Sequence, residues 1–194
     1  MRSQNHTFVT IPIPSNVPSH VVLAYIQTYE PVLRHNPGMV SYSQCDVDLD
    51  QVVNDPFFDS TDPGQTLRAF QAHEVIWLGP GLHKELRWPI FFQRVPTGII
   101  CRCDAPAGVI TWAEWYVRPC QSETASPDGS ASTPGSGAGT PPRDEGHGWE
   151  LYGVVTIEAN RLLMPFCTRN TTGFQSTIGR SMINEICTKF VGSS

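Results

Sequence analysis

Residues 67–95 read LRAFQAHEVIWLGPGLHKELRWPIFFQRV. Two β-type runs, Leu67–Leu78 and Leu82–Val95, flank the turn Gly79-Pro80-Gly81. A turn centred on Pro80 pairs residues whose numbers sum to 160. In that register Phe70, Ala72, Glu74, Ile76, Leu86, Trp88, Ile90 and Phe92 share one face. Gln71, His73, Glu85, Arg87 and Gln93 share the other. The first face is the apolar one and is expected to look inward. His73 and Arg87 then become cross-strand neighbours on the outer face, as a solvated surface pair.

The pattern continues outward from this hairpin. Pro96-Thr97-Gly98 turns the chain into Ile99–Asp104 and adds Ile99, Cys101 and Cys103 to the inner face. Ala105–Gly108 turns it again into Val109–Arg118. Two registers are open for this last strand. One turns Ile110, Trp112, Glu114 and Tyr116 inward; a slip of one residue turns Val109, Thr111, Ala113, Trp115 and Val117 inward instead. The second set is smaller and more apolar and suits a packed core. The first is more polar and suits a ligand site, and it is set ahead of the second here.

From Cys120 to Gly148 the chain carries Ser, Pro, Gly, Thr and Ala, a few charges, and no aromatic or branched aliphatic residue. Such a segment cannot bury enough apolar surface to offset the entropy of ordering it, so 120–148 reads as a disordered insertion. Its flanks, Trp112–Val117 and Trp149–Ile157, are β-type, so it stands in place of a hairpin turn within one domain spanning 1–194. Short connections elsewhere predict an antiparallel meander.

Upstream, Thr7–Ile13 alternates as a strand, and Pro12 and Pro14 point to an edge or a strand end. A helix over 19–35 follows, with Ser19 as its cap and Val22, Ile26, Tyr29 and Leu33 as its stripe. Pro31 kinks or splits it and Asn36-Pro37-Gly38 stops it. A strand over 39–46 precedes a turn-rich stretch, 47–66. At the other end, Phe174, Ile178, Met182, Ile186 and Phe190 repeat every four residues along a helix over 172–190, capped by Thr171 or Thr172. Glu185 and Lys189 form an i,i+4 pair on another face. Burying the five apolar side chains is worth about 1.5–3 kcal/mol each, which places this helix against the concave face of the sheet.

The order is strand, kinked helix, long meander, long final helix. It predicts an α+β fold in which a curved antiparallel sheet of about six to seven strands wraps a C-terminal helix around an apolar pocket. The order resembles the START-like, or helix-grip, fold. Ile11–Pro18, Val22–Gly38, Ala69–Leu78, Arg118-Pro119, Glu158-Ala159-Asn160 and Leu162–Phe166 resemble a fungal family of small START-like domains, found partly in natural-product pathways. The resemblance implies the fold and a ligand cavity, and brings no catalytic motif with it.

Composition narrows the function. The 194 residues are 40% hydrophobic and 16% charged, enough for a core and too little charge for a disordered chain. The net charge of -5, with no cluster of Lys and Arg, argues against nucleic acid and anionic membranes as partners. No apolar run reaches the roughly 20 residues of a membrane span, and Met1–Thr7 lacks the apolar core of a signal peptide. The expected location is cytoplasmic, with Cys45, Cys101, Cys103, Cys120, Cys167 and Cys187 kept as thiols. No metal-ligand spacing, phosphate loop or nucleophile elbow is present, and no cofactor is expected.

Candidate catalytic residues are Glu74 and Glu114, carboxyls that fall on inward faces of their strands. The plainer reading of Glu74 is a rim ion pair with Lys84; the functional one is a general acid/base or a ligand anchor. Candidate ligand-binding residues are Phe70, Trp88, Phe92, Trp112, Tyr116 and Met182. Two functional classes compete, and an interaction module using the acidic surface stands third behind them. One is a cofactor-free cyclase or isomerase of a terpenoid or polyketide-like intermediate, with a Diels–Alder-type closure as its concrete form. The other is a carrier for a lipid or pathway intermediate.

Overall fold

The structure, a computed structural model, describes residues 1–46, 52, 55–58, 67–120, 148–169 and 171–191. In chain order the elements are β1 (Arg2–Ile13), α1 (Ser19–Ile26), α2 (Glu30–Arg34), β2 (Met39–Cys45), β3 (Arg68–Gly79), β4 (Leu82–Val95) and β5 (Gly98–Ala105). They continue with β6 (Val109–Pro119), β7 (Trp149–Asn160), α3 (Met164–Thr168) and α4 (Thr171–Val191). The strands form one antiparallel sheet in the order β1-β7-β6-β5-β4-β3-β2, and α4 lies on its concave face. This is the helix-grip fold that the element order predicts.

The hairpin at Pro80 takes the predicted register: Phe70 faces Ile90, Ala72 faces Trp88 and Glu74 faces Leu86. β5 follows suit, with Cys101 opposite Phe92 and Cys103 opposite Ile90. β6 departs from the register set ahead above. Cys103 pairs with Thr111, Cys101 with Ala113 and Ile99 with Trp115, so Val109, Thr111, Ala113, Trp115 and Val117 look inward. The turn decides this. Pro106–Gly108 is a three-residue 3₁₀ turn with Ala107 at φ 64 and Gly108 at φ 72, so residues facing each other sum to 214. An odd loop length puts Trp112, Glu114 and Tyr116 on the convex face.

Two glycines make room for Trp115, which is 1% exposed. A Cβ on Gly153 of β7 would come within 2.7 Å of the Trp115 ring, and one on Gly179 of α4 within 3.2 Å of it and 2.8 Å of Ile11. The indole is thus wedged between sheet and helix. Ile178, Met182 and Ile186 are buried as the stripe predicts, joined by Ile183, while Phe174 and Phe190 are 46% and 40% exposed at the ends of the helix.

Other differences are local. The N-terminal helix splits at Gln27–Tyr29, before Pro31, and Tyr29 adopts φ 68. Pro31 therefore sits in the first turn of α2, where its missing N–H costs nothing. Pro18 rather than Ser19 holds the cap position of α1. Thr171 opens α4, and its hydroxyl donates to the Cys167 carbonyl instead of capping. β1 starts five residues before the predicted Thr7, because β7 runs on to Asn160 and pairs with it. Gln4 donates to Glu158 at 2.8 Å and His6 meets Thr156 at 2.9 Å across that extension. β1 is an edge strand, as its prolines suggest. The five-residue α3, with Pro165 in its first turn, is too short for periodicity to betray.

β6 and β7 pair down to Pro119 and Trp149, and the Cys120 amide donates to the Gly148 carbonyl at 2.7 Å. The insertion thus joins two neighbouring strands; residues 121–147 lie outside the described part, as does most of 47–66. Of the latter stretch, Val52 and Phe58 pack with Leu67, Ala69, Phe91 and Ile100 in a second apolar cluster on the convex face. None of the described helices is long and apolar enough to cross a membrane.

Candidate functional site

The inward residues are buried more deeply at one end of the concave face than at the other. Over β1, β6 and β7 the inward residues Val9, Ile11, Trp115, Val117 and Leu151 are buried under α4. Toward the β3–β4 hairpin and the β5–β6 turn, Glu74, Leu86, Cys103, Val109 and Thr111 face inward yet are only partly buried. Trp88, Ile90 and Cys101 form the floor between the two ends and are buried.

Glu74 stands at the less buried end. Its Oε1 accepts a hydrogen bond from Asn36 Nδ2 at 3.0 Å. The expected pair with Lys84 is not made: Lys84 lies opposite Ile76, at the exposed end of the hairpin, and no cation stands within ion-pair distance of Glu74 among the described residues. Burial raises the carboxyl to about 7, and the single bond from Asn36 only partly offsets this. Asn36 arrives because Met39 of β2 pairs with Glu74 itself. The helix-stop reading of Asn36-Pro37-Gly38 carried no hint of that contact; only the β2–β3 register places the loop beside β3.

Two further groups share that face. The Cys103 thiol, on β5, is pushed well above its usual range by burial, and the charge of Glu74 adds to this. It is therefore a neutral S–H. The buried Trp88 Nε1–H turns to that sulfur and has no nitrogen or oxygen acceptor among the described residues. Sulfur is a weak acceptor, so the demand of the indole N–H is unmet. The Trp115 Nε1–H, deeper on the same face, has no partner among the described residues. Cys101, fully enclosed, is pushed up to about 12 by burial.

The sequence-derived set divides between the two faces. Phe70, Trp88, Phe92 and Met182 belong to one concave cluster with Glu74 at its edge. Phe92 is packed between Tyr29 and Phe70, with ring centroids 5.3 and 5.7 Å away, so it and Phe70 serve the core as much as any ligand. Trp112, Glu114 and Tyr116 are separated from them by the sheet. The Tyr116 hydroxyl donates to Glu114 Oε2, and Trp112 Nε1 donates to Asp55 Oδ2 at 3.3 Å, beside the Arg102–Asp55 ion pair at 2.6 Å. His73 does face Arg87, and pairs diagonally with Glu85 at 3.0 Å on the outer face.

A family model covers this whole arrangement, from residue 2 to residue 187. The chain belongs to the DUF7053 family, a domain of unknown function. A search of curated proteins returns no match. Among solved structures, this DUF7053 chain is similar to TTHA0849 from Thermus thermophilus, with a TM-score of 0.55 and 11% identity, over 96% of this chain and 99% of that one. It is also similar to the di-domain ARO/CYC BexL from the BE-7585A biosynthetic pathway, with a TM-score of 0.52 and 11% identity, over 94% of this chain and 48% of that one. At such identities the likeness carries the fold alone.

Proposed function

We propose that this DUF7053 chain is a cofactor-free cyclase or isomerase acting on an apolar natural-product intermediate of fungal secondary metabolism, with Glu74 as its general acid/base. One observation carries the proposal: an inward-facing carboxyl at the less buried end of the concave face, held near neutrality, with no cation beside it among the described residues. A carboxyl in that range can both take a proton and return it at working pH, which a carrier does not need. The helix-grip half of an aromatase/cyclase supports the same class of chemistry by analogy of fold.

A pericyclic closure of Diels–Alder type on the same face would need no proton transfer and would depend on shape alone. Incubation with terpenoid and polyketide-like intermediates, followed by mass spectrometry, separates the readings. A product of unchanged mass whose formation drops by about 10²–10⁴-fold in Glu74→Gln supports acid/base catalysis. Unchanged turnover in that variant, with loss in Trp88→Ala, points to shape-driven closure. Tight binding without conversion by the wild-type chain identifies a carrier and overturns the proposal.

A further inference from the structure

Trp88 lies on β4, two residues from Leu86, which faces Glu74 directly across the hairpin. It is 4% exposed, and among the described residues its indole N–H meets no nitrogen or oxygen acceptor, only the weakly accepting sulfur of Cys103. A buried donor without a partner costs about 1–3 kcal/mol, a cost that a ligand oxygen placed there would relieve. Diagonal neighbours on one face of a hairpin are about 7–8 Å apart at the backbone, within reach of long side chains that converge on one small group. The Cys103 sulfur is the group that the Trp88 indole meets, and the charge of Glu74 is felt by it across the same face. Ile90, Cys101, Ala113 and Met182 in the same cluster are apolar or weakly polar.

We infer that the substrate is an apolar ketone or enone whose carbonyl oxygen is held by the Trp88 indole N–H while Glu74 faces the adjacent C–H. This deepens the acid/base reading of Glu74 and rests on it. The step balances without a co-reactant. The Glu74 carboxylate takes the proton from the carbon next to the carbonyl, and the C–H electron pair moves into the new C=C bond as the carbonyl π pair moves onto oxygen. The enolate oxygen then accepts a stronger hydrogen bond from Trp88 than the ground-state carbonyl did. The Glu74 carboxylic acid returns its proton in one of two ways. It goes to the conjugated carbon of an enone, which shifts the double bond. Or it goes to the alkoxide formed when the enolate carbon attacks a second carbonyl of the same molecule, which closes a ring. Both products keep the mass of the substrate.

The test uses 2-tetralone, whose C1 hydrogens are acidic and whose size suits a bicyclic fragment, and tetralin as its oxygen-free counterpart. Calorimetry on the full chain is expected to give 2-tetralone about tenfold tighter binding than tetralin, the size of one relieved buried donor. Trp88→Phe, which removes the N–H and keeps an aromatic ring, is expected to abolish that preference. Should this variant not fold, the indole N–H resonance of Trp88 in the ¹⁵N-labelled wild-type chain gives the answer, with a downfield shift on adding 2-tetralone and not tetralin. In D₂O the wild-type chain is expected to speed deuterium incorporation at C1, and Glu74→Gln to lose that acceleration while keeping the preference for the ketone. Equal binding of ketone and hydrocarbon, or an unmoved Trp88 resonance, overturns the carbonyl anchor and leaves Glu74 as a base for another substrate. An intact ketone preference with exchange that Glu74→Gln does not alter overturns the base and leaves a ketone-binding protein.

Discussion

Glu74 links folding to pH in a way that few surface carboxylates do. Its folded-state pKa, about 7, lies above the ordinary 4.5, so between those values the native chain holds a proton that the unfolded chain has released. Stability from this group is full below about pH 4.5 and is lost as pH rises to about 7, by at most about 3 kcal/mol. Chemical denaturation of the wild-type chain is expected to show that decline. Glu74→Gln, uncharged throughout, is expected to remove it and to be the more stable protein at pH 8. A wild-type chain whose stability is flat from pH 4.5 to 7 would show that the carboxyl is not desolvated. On the convex face the outlook is different. Glu114→Gln breaks only the bond from Tyr116 and is expected to leave any turnover that depends on Glu74 unaltered.

Between elements, the joint that closes the grip is a second carboxylate. Glu185 of α4 accepts two bonds of 2.8 Å from Arg34 and one of 2.7 Å from His35, at the end of α2, and pairs with Lys189 one turn on. Arg34 also donates to the Tyr25 hydroxyl of α1 at 3.1 Å. Desolvation opposes ionisation of Glu185, but hydrogen bonds from Lys189, Tyr25, Arg34 and His35 outweigh it and hold the carboxyl well below its usual range. Burial and the same carboxylate push the Tyr25 phenol up. Here the sign is opposite to that of Glu74: stability from Glu185 is present above about pH 4.5 and is lost as pH falls below it. Glu185→Gln is expected to cost about 1–2 kcal/mol at pH 7, read as a lower denaturation midpoint with unchanged slope. The Trp115 wedge gives a second joint. Gly153→Ala drives a methyl group into the ring and is expected to cost about 1–3 kcal/mol, with Trp115→Phe in the same chain recovering part of the loss. Equal stability of Gly153→Ala and wild type would show that the sheet yields there freely.

Across the whole molecule, the insertion is expected to be dispensable for stability. Its composition offers nothing to bury, and Cys120 and Gly148 already close the β6–β7 ladder beneath it. Deleting 122–146 is expected to leave Tm nearly unchanged in a thermal melt; a loss of cooperative unfolding would mean that the segment contributes to the core.

What could be read along the chain were the features that backbone geometry enforces over a few residues. Alternation and the turn at Pro80 placed Phe70, Glu74, Trp88 and Cys103 on one face, because a strand side chain can point only to one side or the other. The four-residue repeat set Ile178, Met182 and Ile186 against the sheet for the same local reason. The tertiary structure decided the rest, where the outcome depends on the path of the chain. The face of β6 hung on one residue of turn length, settled by the left-handed conformations of Ala107 and Gly108. The partner of Glu74 is Asn36 and not Lys84, because β2 docks its leading loop beside β3 while Lys84 remains in solvent. Arg34 and His35 reach Glu185 from some 150 residues away in sequence, and the second apolar cluster needs Val52 and Phe58 folded over the convex face. Periodicity records which side of an element is apolar; it holds no information on which distant side chain will come to meet it.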